Sequence, residues 1–417
     1  MTEAMPEGLL REDAPVVERQ NRPLMGEQGS RDAAARRPLD RYFLHPDAVR
    51  GGHRVDVLVD GDETYSAMLD ATGAAKTEIL LETYIWTDDA TGRKFVEALE
   101  TRARAGLRVH AIIDGFGSLG LSETTRQHMR DADISLAVFH PVRPWQRRWA
   151  WPVRDHRKLL VVDGAVAFTG GLNIGDDYAP AAWGGRGWHD VHCRIAGPAV
   201  ANLRWQFFAS WSHATGERGE PPPLAAVPRP SQSTDLARVQ VLGIGGLRDR
   251  RRIRRHYQFA VRQAQHTVRI MVGYFIPGRS WRRLLRNAVK RGVDVRVMFP
   301  HHNDILAMQW AAHATYAALL RAGVAVYEWL PSMLHAKVLS VDGVVCAIGS
   351  YNLDRRSLFL NWELSVLVGD EATARTLDRN FDADLDRCIA IDRASWTHRG
   401  LFQRLVERLF YTLRRWL

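Results

Sequence analysis

The sequence predicts an α/β protein made of two tandem α/β/α repeats that are related by pseudo-twofold symmetry. Each repeat should contain a mainly parallel or mixed sheet sandwiched by helices. Three observations support this class: a motif that occurs twice, an alternation of strand-like and helix-like segments before each copy, and a large apolar fraction. Apolar residues make up 46% of the 417 residues, enough for extensive cores. Alternating strands and helices are typical of sheets with helices on both faces.

The repeated motif has the form H-x-K, four residues, D, six residues and G-[GS]-x-N. Its two copies supply His156, Lys158, Asp163 and Asn173, and then His335, Lys337, Asp342 and Asn352. The histidines are 335 − 156 = 179 positions apart, which is the size of a domain. His and Lys of one copy lie two positions apart, so on a strand both point to one face. The Asp-Gly pair that follows predicts a tight turn between two strands.

The segments before the first motif alternate between strand and helix patterns. Strands are predicted at residues 55–59, 79–86, 109–114 and 135–139. Helices are predicted at residues 63–74, 95–105 and 122–130. This order predicts β-α-β units with neighbouring parallel strands.

The second repeat follows the same order. Helices are predicted at residues 254–264, 284–290 and 310–321, and strands at residues 268–277, 293–299 and 324–329. Tyr84 and Tyr274 then occupy equivalent positions at the ends of equivalent strands. We therefore expect both tyrosines at the mouth of the substrate site.

Changes in composition along the chain indicate five segments. Residues 1–45 are charged and aperiodic, which predicts a disordered segment. Residues 46–215 and 237–392 are the two predicted domains, and residues 216–236 are a Pro-rich linker. Residues 393–417 are predicted to form a basic amphipathic helix, because apolar residues recur there at helical spacing between arginines.

Charge and cysteine content restrict the class of partner and the compartment. The net charge is +10, which favours an anionic partner such as a nucleic acid or an anionic lipid surface. The three cysteines are far apart in sequence, so neither a disulfide framework nor a zinc-binding spacing is indicated. No N-terminal apolar segment or long uncharged apolar run is present, so neither a signal peptide nor a spanning helix is predicted.

The residue types of the doubled motif indicate phosphoryl chemistry. Histidine can act as nucleophile or proton carrier near neutral pH, and lysine and asparagine can hold phosphate oxygens. Two copies predict attack on phosphorus by one histidine and protonation of the leaving oxygen by the other. No metal or other cofactor is expected, because the lysines supply the positive charge. A metal site at His189 and His192 is an alternative that this chemistry does not require.

The doubled motif resembles the HKD motif of the phospholipase D superfamily, and the resemblance extends over about residues 50–390. Within the superfamily, the flanking residues look like bacterial cardiolipin synthases; they are the stretches 170–178, 188–190, 197–200, 274–277, 350–357 and 361–364, together with Pro300 and Asp304. Common members of that family begin with two transmembrane helices, so this chain resembles a short, membrane-peripheral form. The resemblance implies transfer of a phosphatidyl group from phosphatidylglycerol, or a similar phospholipid, to an alcohol on a second lipid. It also implies a site complete within one chain, acting at the cytoplasmic face of the cell membrane.

The family mechanism can be carried onto the matching residues. By resemblance, His156 would form a phosphohistidine intermediate, and His335 would protonate the leaving alcohol and then deprotonate the acceptor. Which histidine is the nucleophile stays open, because the motif is nearly symmetric. The oxygens of the phosphate would be held by Lys158, Lys337, Asn173 and Asn352.

Four carboxylates complete the expected site. Asp163 and Asp342 belong to the catalytic motifs, but they stand at strand turns, where a structural role is expected. Glu363 is predicted to orient His335, and Asp190 is predicted to orient His156. A carboxylate on Nδ1 fixes the tautomer and leaves Nε2 to react.

Two further segments give information about the anionic partner of the chain. Residues 143–151 mix arginines and tryptophans, which suits a lipid interface but also single-stranded nucleic acid. The C-terminal helix either lies on a bilayer or docks its apolar face on the core. Hydrolysis of phospholipid or nucleic acid, as a phospholipase D or phosphodiesterase, is the alternative function, and a non-enzymatic membrane scaffold is a third.

Overall fold

The computed structural model of the chain describes residues 38–142, 153–217, 236–246, 249–354, 356–357 and 360–413. The strands of the first half are β1 (Arg50–Val59), β2 (Glu78–Thr83), β3 (Arg108–Asp114), β4 (Ser135–Phe139), β5 (Leu159–Val162), β6 (Val166–Gly170) and β7 (Val191–Ala196). Its helices are α1 (Asp60–Gly73), α2 (Ala90–Arg104), α3 (Glu123–Asp131) and α4 (Ala199–Thr215).

The second half has the same order of elements and adds a C-terminal extension. Its strands are β8 (Ala237–Ile244), β9 (Thr267–Val272), β10 (Asp294–Pro300), β11 (Ala325–Trp329), β12 (Lys337–Val341), β13 (Val345–Gly349), β14 (Glu363–Gly369) and β15 (Cys388–Ala390). Its helices are α5 (Arg252–Gln263), α6 (Arg279–Lys290), α7 (Leu306–Arg321), α8 (Glu371–Leu385), α9 (Arg393–Thr397) and α10 (Leu401–Leu413).

All these strands form one fifteen-stranded sheet, in the order β15-β11-β10-β9-β12-β13-β14-β8-β1-β7-β6-β5-β2-β3-β4. Strands β1 and β8 pair antiparallel at its centre, for example through His53 and Ala237. Outward from this pair, the strand order of one half repeats that of the other: β7 corresponds to β14, β6 to β13, β5 to β12 and β2 to β9. The predicted α/β fold with pseudo-twofold repeats is therefore confirmed, and the two sheets are continuous.

Parallel pairing is confined to two blocks, β2-β3-β4 and β9-β10-β11. Helices connect these strands, so each strand returns in the same direction. The motif hairpins β5-β6 and β12-β13 are antiparallel, which makes the sheet mixed. Their turns contain Asp163-Gly164 and Asp342-Gly343, all with positive φ, as expected for the tight hairpin turn predicted from Asp-Gly.

The motif aspartates fasten these turns to the neighbouring strand. Asp163 accepts hydrogen bonds from the backbone N–H groups of Lys76, Thr77 and Glu78, at 2.7–3.2 Å. Asp342 does the same for the N–H groups of residues 265–267 at the start of β9. Both carboxylates thus lie at the far end of the hairpin from the motif histidine, in the position expected for a structural role.

The two halves share a hydrophobic core. One cluster of buried apolar side chains contains Phe139 and Leu159 from the first half, and Met271 and Trp329 from the second. A shared core of this kind is typical of parts that do not move as independent domains. The relative placement of the halves is therefore part of the fold itself.

The last part of the predicted disordered segment is ordered in the structure. Residues 38–42 form a short 3₁₀ helix, and the rings of Tyr42 and Phe43 are buried in the core of the second half. The prediction of disorder up to residue 45 was therefore wrong for these residues, because two aromatic rings stabilise the ordered state by burial. Residues 1–37 lie outside the described residues, as do residues 143–152 of the Arg/Trp segment and most of the predicted linker, residues 218–235.

The predicted C-terminal helix is present as two helices, α9 and α10, separated at residues 398–400. Residues 414–417 lie outside the described residues. Helix α10 packs on α7. Within the described ranges, every helix is too short or too polar to cross a lipid bilayer.

Candidate active site

The two motif histidines are held at the seam where the halves meet. The N–H of His156 donates to the carbonyl of Trp362 at 3.0 Å, and the N–H of His335 donates to the carbonyl of His189 at 2.7 Å. Each histidine lies just before the first strand of its motif hairpin and thus pairs with backbone of the opposite half. Convergence of the two motifs on one site, expected from the doubled pattern, follows from these contacts.

Each histidine takes its carboxylate partner from the opposite half. His156 Nδ1 donates to Glu363 Oε2 at 3.1 Å, and His335 Nδ1 donates to Asp190 Oδ2 at 2.7 Å. The predicted pairing of Glu363 with His335 and of Asp190 with His156 was therefore wrong. The cause is the seam: Glu363 follows Trp362, which pairs with the first motif, and Asp190 follows His189, which pairs with the second.

The crossed carboxylates determine which imidazole nitrogen can react. Because Nδ1 of each ring is engaged, Nε2 is the nitrogen left for chemistry. Burial, followed by the positive charges of Lys158 and Lys337, lowers the pKa of His156 well below its ordinary value. Burial and Lys337 likewise lower the pKa of His335 to about 4. Both rings are therefore neutral at neutral pH in the ligand-free protein, as a nucleophilic imidazole must be.

The two lysines are buried in the same site. Burial, together with the charge of Lys337, lowers the pKa of Lys158 to about 7. Burial lowers the pKa of Lys337 to about 8, although the Asp190 and Glu363 carboxylates oppose the shift. Lys158 Nζ donates to the carbonyl of His156 at 2.9 Å, and Lys337 Nζ donates to the carbonyl of His335. The charge of Lys337 thus disfavours an ammonium group at Lys158, and a bound anion would favour the charged form of both lysines.

The two carboxylates differ in charge state. Burial raises the pKa of Glu363 to about 7, despite hydrogen bonds from Ser350 that lower it. Burial acts on Asp190 in the same direction, but Lys337 and the His335 hydrogen bond outweigh it, so the pKa of Asp190 is lowered. Asp190 is therefore fully ionised at neutral pH, whereas Glu363 titrates near it.

The Gly-Gly and Gly-Ser pairs of the motifs surround these carboxylates. A Cβ on Gly170 would lie 2.4 Å from the carbonyl oxygen of Val191, and a Cβ on Gly349 would lie 2.4 Å from that of Leu364. The next position differs between the halves. A side chain on Gly171 would collide with Asp190, whereas the Ser350 hydroxyl donates to Glu363.

The predicted mouth tyrosines lie beside the histidines. The Tyr84 ring centre is 5.0 Å from that of His156, and the Tyr274 ring centre is 6.0 Å from that of His335. Lys158 Nζ lies 5.2 Å from the Tyr84 ring centre. The structure therefore brings both tyrosines to the site, one per half.

The motif asparagines are both buried, but their contacts differ. Asn173 Oδ1 accepts from the N–H of Ile85 at 3.1 Å, and its Nδ2 donates to the Tyr178 hydroxyl at 2.6 Å. Asn173 thus has structural contacts, and one Nδ2 proton remains for the phosphate oxygen that the sequence predicts as its partner. Asn352 Oδ1 is buried and accepts no hydrogen bond from the described residues.

Several site residues were not assigned a role from the sequence. The rings of Tyr178 and Trp188 lie 5.2 and 5.8 Å from the His335 ring. The Tyr274 hydroxyl donates to Asp304 at 2.6 Å. All three residues stand in or near the stretches that carry the family resemblance, which was the available signal, but only tertiary structure brings them to His335.

His189 is part of the seam. Its Nδ1 lies 2.7 Å from Asp60 Oδ1 and its Nε2 3.0 Å from Asp384 Oδ2. Although burial opposes it, these two carboxylates raise the pKa of His189 to about 10, so it is a cation that joins the halves. His192 instead accepts from the N–H of Leu172 through Nδ1. In the described part of the chain, these histidines belong to no cluster of three potential metal ligands.

The lysine pKa shifts predict a pH-dependent anion affinity. Lys158 and Lys337 are charged below, and neutral above, about pH 7 and pH 8 respectively. Binding of tungstate should therefore take up protons, and its affinity should fall from about pH 7 to about pH 9, by about tenfold per pH unit for each proton taken up. Isothermal titration calorimetry in buffers of different ionisation enthalpy measures both quantities. The Lys158→Gln variant should bind more weakly with a shallower slope, and a flat profile in the parent protein would contradict the assignment.

The fold and the site together indicate the class of enzyme. Two pseudo-symmetric α/β halves, each bringing one His, one Lys and one crossed carboxylate to a single site, are suited to phosphodiester transfer through a histidine. Residues 259–385 match the family model described as "Cardiolipin synthase, PLD-like domain".

Curated relatives cover most of the chain. A cardiolipin synthase of Geobacillus sp. (strain WCH70) is 34% identical over 352 residues, covering 84% of this chain and 70% of the relative. Cardiolipin synthase A of Pseudomonas entomophila (strain L48) is 35% identical over 349 residues, covering 83% and 72%. Among solved structures, phosphatidylserine synthase of Haemophilus influenzae Rd KW20 covers 87% of this chain and 93% of its own, with a TM-score of 0.62 and 14% identity, so it shares the fold.

The chain belongs to the cardiolipin synthase family of the phospholipase D superfamily. It is accordingly a phosphatidyltransferase of the cardiolipin synthase type.

Proposed function

We propose that this enzyme transfers the phosphatidyl group of phosphatidylglycerol, or a similar phospholipid, to an alcohol group of a second lipid. With phosphatidylglycerol as both donor and acceptor, the products are cardiolipin and glycerol. The observation that carries the proposal is the pair of crossed histidine–carboxylate contacts around two buried lysines. The family relationship supplies the lipid class.

In the first step, His156 Nε2 attacks the phosphorus of the donor. A P–N bond forms and the P–O bond to glycerol breaks, giving a phosphatidyl-histidine. His335, which is neutral in the ligand-free protein, takes up a proton on Nε2 when the anionic donor binds and delivers it to the departing glycerol oxygen. Charge that develops on the non-bridging oxygens is stabilised by the two lysine ammonium groups, with Asn173 and Asn352 as the proposed amide donors.

In the second step, His335 removes the proton from the acceptor hydroxyl. The resulting oxygen attacks phosphorus, the P–N bond breaks, and His156 is regenerated. The asymmetry of the carboxylates supports this division of roles. A fully ionised Asp190 stabilises a positively charged His335 better than Glu363 would, and His335 carries that charge before it donates its proton and again after it takes the acceptor proton.

The reaction requires access to lipid. We propose that the protein acts as a peripheral protein at the cytoplasmic face of the cell membrane, with the site complete in one chain. The net charge of +10 and the anionic headgroup of the proposed donor support this placement. The same charge would also suit nucleic acid, so the alternative of phosphodiester hydrolysis requires a direct test.

The test is product analysis with purified full-length protein. Vesicles that contain phosphatidylglycerol should yield cardiolipin and glycerol in equal amounts. Phosphatidic acid without cardiolipin would mean that water replaces the alcohol, and the enzyme would then be a phospholipase D. Cleavage of single-stranded DNA, with phosphatidylglycerol left intact, would favour the nuclease alternative.

A further inference from the structure

The orientation of α10 is opposite to that of a helix docked by its apolar face. Its exposed apolar side chains are Leu401, Phe402, Leu405, Leu409 and Leu413, here called the α10 stripe. Phe402 retains 79% of its surface, whereas the charged Glu407 retains 2%. The stripe therefore faces outward.

Polar contacts and one aromatic contact hold the inner side of α10. Glu407 pairs with Arg399, and its carboxylate lies 4.0 Å from His313 on α7. The Phe410 ring centre lies 4.8 Å from that of Trp310. These contacts fix the rotation of the helix about its axis, so packing among the described residues does not account for the stripe.

Two arginines border the stripe. Arg404 and Arg408 are exposed, and they lie one helical turn after Leu401 and Leu405, so they occupy one edge of the apolar surface. Apolar residues with flanking arginines are characteristic of helices that lie in a membrane interface, where guanidinium groups reach lipid phosphates. The charge of this border is complementary to an anionic lipid surface.

The stripe continues to the mouth of the site. Phe410 and Tyr411 pack with Ile276 and Met308, beside Tyr274. Ile305 and Leu306 are exposed immediately after Asp304, the residue that holds the Tyr274 hydroxyl.

The corresponding loop of the first half is also apolar. Phe116 and Leu119 are exposed on the loop after β3, the strand that corresponds to β10. Apart from Leu330 and Ile389, the exposed large apolar residues of the described chain lie on these two loops and on α10. Exposed apolar groups concentrated in this way mark an interaction surface.

We propose that the α10 stripe and the two loops form one docking surface for an anionic phospholipid monolayer. The arginine border contacts headgroups, the stripe lies among acyl chains, and the mouth between the loops faces the lipid. The orientation of the mouth rests on the proposed function, whereas the membrane contact itself does not.

Vesicle binding tests this surface directly. Full-length protein should sediment with phosphatidylcholine vesicles that contain phosphatidylglycerol, and more weakly with phosphatidylcholine alone. The Leu405→Glu/Leu409→Glu double variant places two charges in the stripe and should lower the partition coefficient by about 100-fold or more. Circular dichroism and thermal unfolding should show that it remains folded.

A matched control adds the same charge elsewhere. Thr101 and Asn287 are exposed in the last turns of α2 and α6, at the ends remote from the mouth loops. The Thr101→Glu/Asn287→Glu variant should bind vesicles like the parent. Equal binding by the stripe variant and the parent would overturn the proposal. So would a parent dimer that the stripe substitutions dissociate, since the occupant would then be a second copy of the chain.

A soluble substrate separates this proposal from the proposed function. The stripe variant should lose activity on vesicles but keep it on dihexanoyl-phosphatidylglycerol below its critical micelle concentration. Loss on both substrates would overturn the docking role, because the stripe would then affect the site itself. A parent that binds vesicles but transforms neither substrate would refute the proposed function and leave the docking surface standing.

Discussion

The His156→Ala variant should lose phosphatidyl transfer by a factor of about 10⁴ or more, because no other group is placed to form the covalent intermediate. In the parent enzyme, a phosphatidylglycerol labelled in the phosphatidyl moiety should leave its label on the peptide that contains His156 after rapid quenching at alkaline pH. The variant should leave none. Quench-flow with peptide mass spectrometry measures both the label and its rate of formation.

An exposed histidine provides the control for this experiment. His128 lies on the surface of α3, and His128→Ala should label and turn over like the parent. The His335→Ala variant should form the label slowly, since the leaving group then departs without an acid. Label on the His335 peptide, with none on His156, would reverse the proposed roles of the two histidines.

Substitution of the crossed carboxylates, Glu363 and Asp190, should have the second large effect on turnover. Glu363→Gln and Asp190→Asn should each lower turnover of phosphatidylglycerol by about 10²–10⁴-fold, because each replaces a charged acceptor by an amide, whose NH₂ group can donate to Nδ1 and favour the wrong tautomer of the imidazole. A donor with a p-nitrophenol leaving group separates them, since that group departs without a proton. Asp190→Asn, which acts through His335, should retain the burst of nitrophenolate. Glu363→Gln, which acts through His156, should lose it.

A buried glutamate outside the site serves as the matched control. Glu328 holds His301 and His313 at 2.8 and 3.1 Å, so Glu328→Gln also removes a carboxylate from two partly buried imidazoles. Its nitrophenolate burst should stay within a few-fold of the parent. If Asp190→Asn lost the burst and Glu363→Gln kept it, while the label stayed on His156, the uncrossed pairing expected from sequence would be correct in function.

The fold and the identity of the site could be predicted because their signals are local. The spacing within each motif specifies a strand, an Asp-Gly turn and a second strand, and each of these depends on residues that are neighbours in sequence. The expected equivalence of Tyr84 and Tyr274 was wrong by one residue. Trp86 pairs with Ile174 where Phe275 pairs with Leu353, so Tyr84 corresponds to Gly273 and Tyr274 to Ile85. The match of two tyrosines in the sequence did not determine the register of the strands that precede them.

The crossing of the carboxylates could not be predicted in the same way. Asp190 lies 190 − 156 = 34 residues after His156, and Glu363 lies 363 − 335 = 28 residues after His335, so the local partner was the natural choice. The true pairing depends on how two separately patterned halves dock, and that information is distributed over a core shared by both. The difference between Gly171 and Ser350, which occupy the same position in the two motifs, could not be interpreted from the sequence either. Its effect depends on which carboxylate lies beside each residue.

Helix α10 shows a related limit of periodicity. Its apolar spacing specifies a stripe but not the direction in which the stripe faces. That direction is decided by Glu407 and Phe410, whose partners lie on α7 and in the segment before α10. The buried Glu407 carboxylate therefore holds the helix with its apolar side outward, contrary to the usual packing of an amphipathic helix.

The exchange of carboxylates between the halves also affects how the enzyme loses activity when its fold is damaged. If heat or damage separated the halves even slightly, both imidazoles would lose their orienting acceptor at the same moment. No intermediate form would then remain that can cleave donor lipid but has lost control of the acceptor. Failure of this enzyme should therefore leave the surrounding bilayer intact, instead of releasing a degradative activity into it.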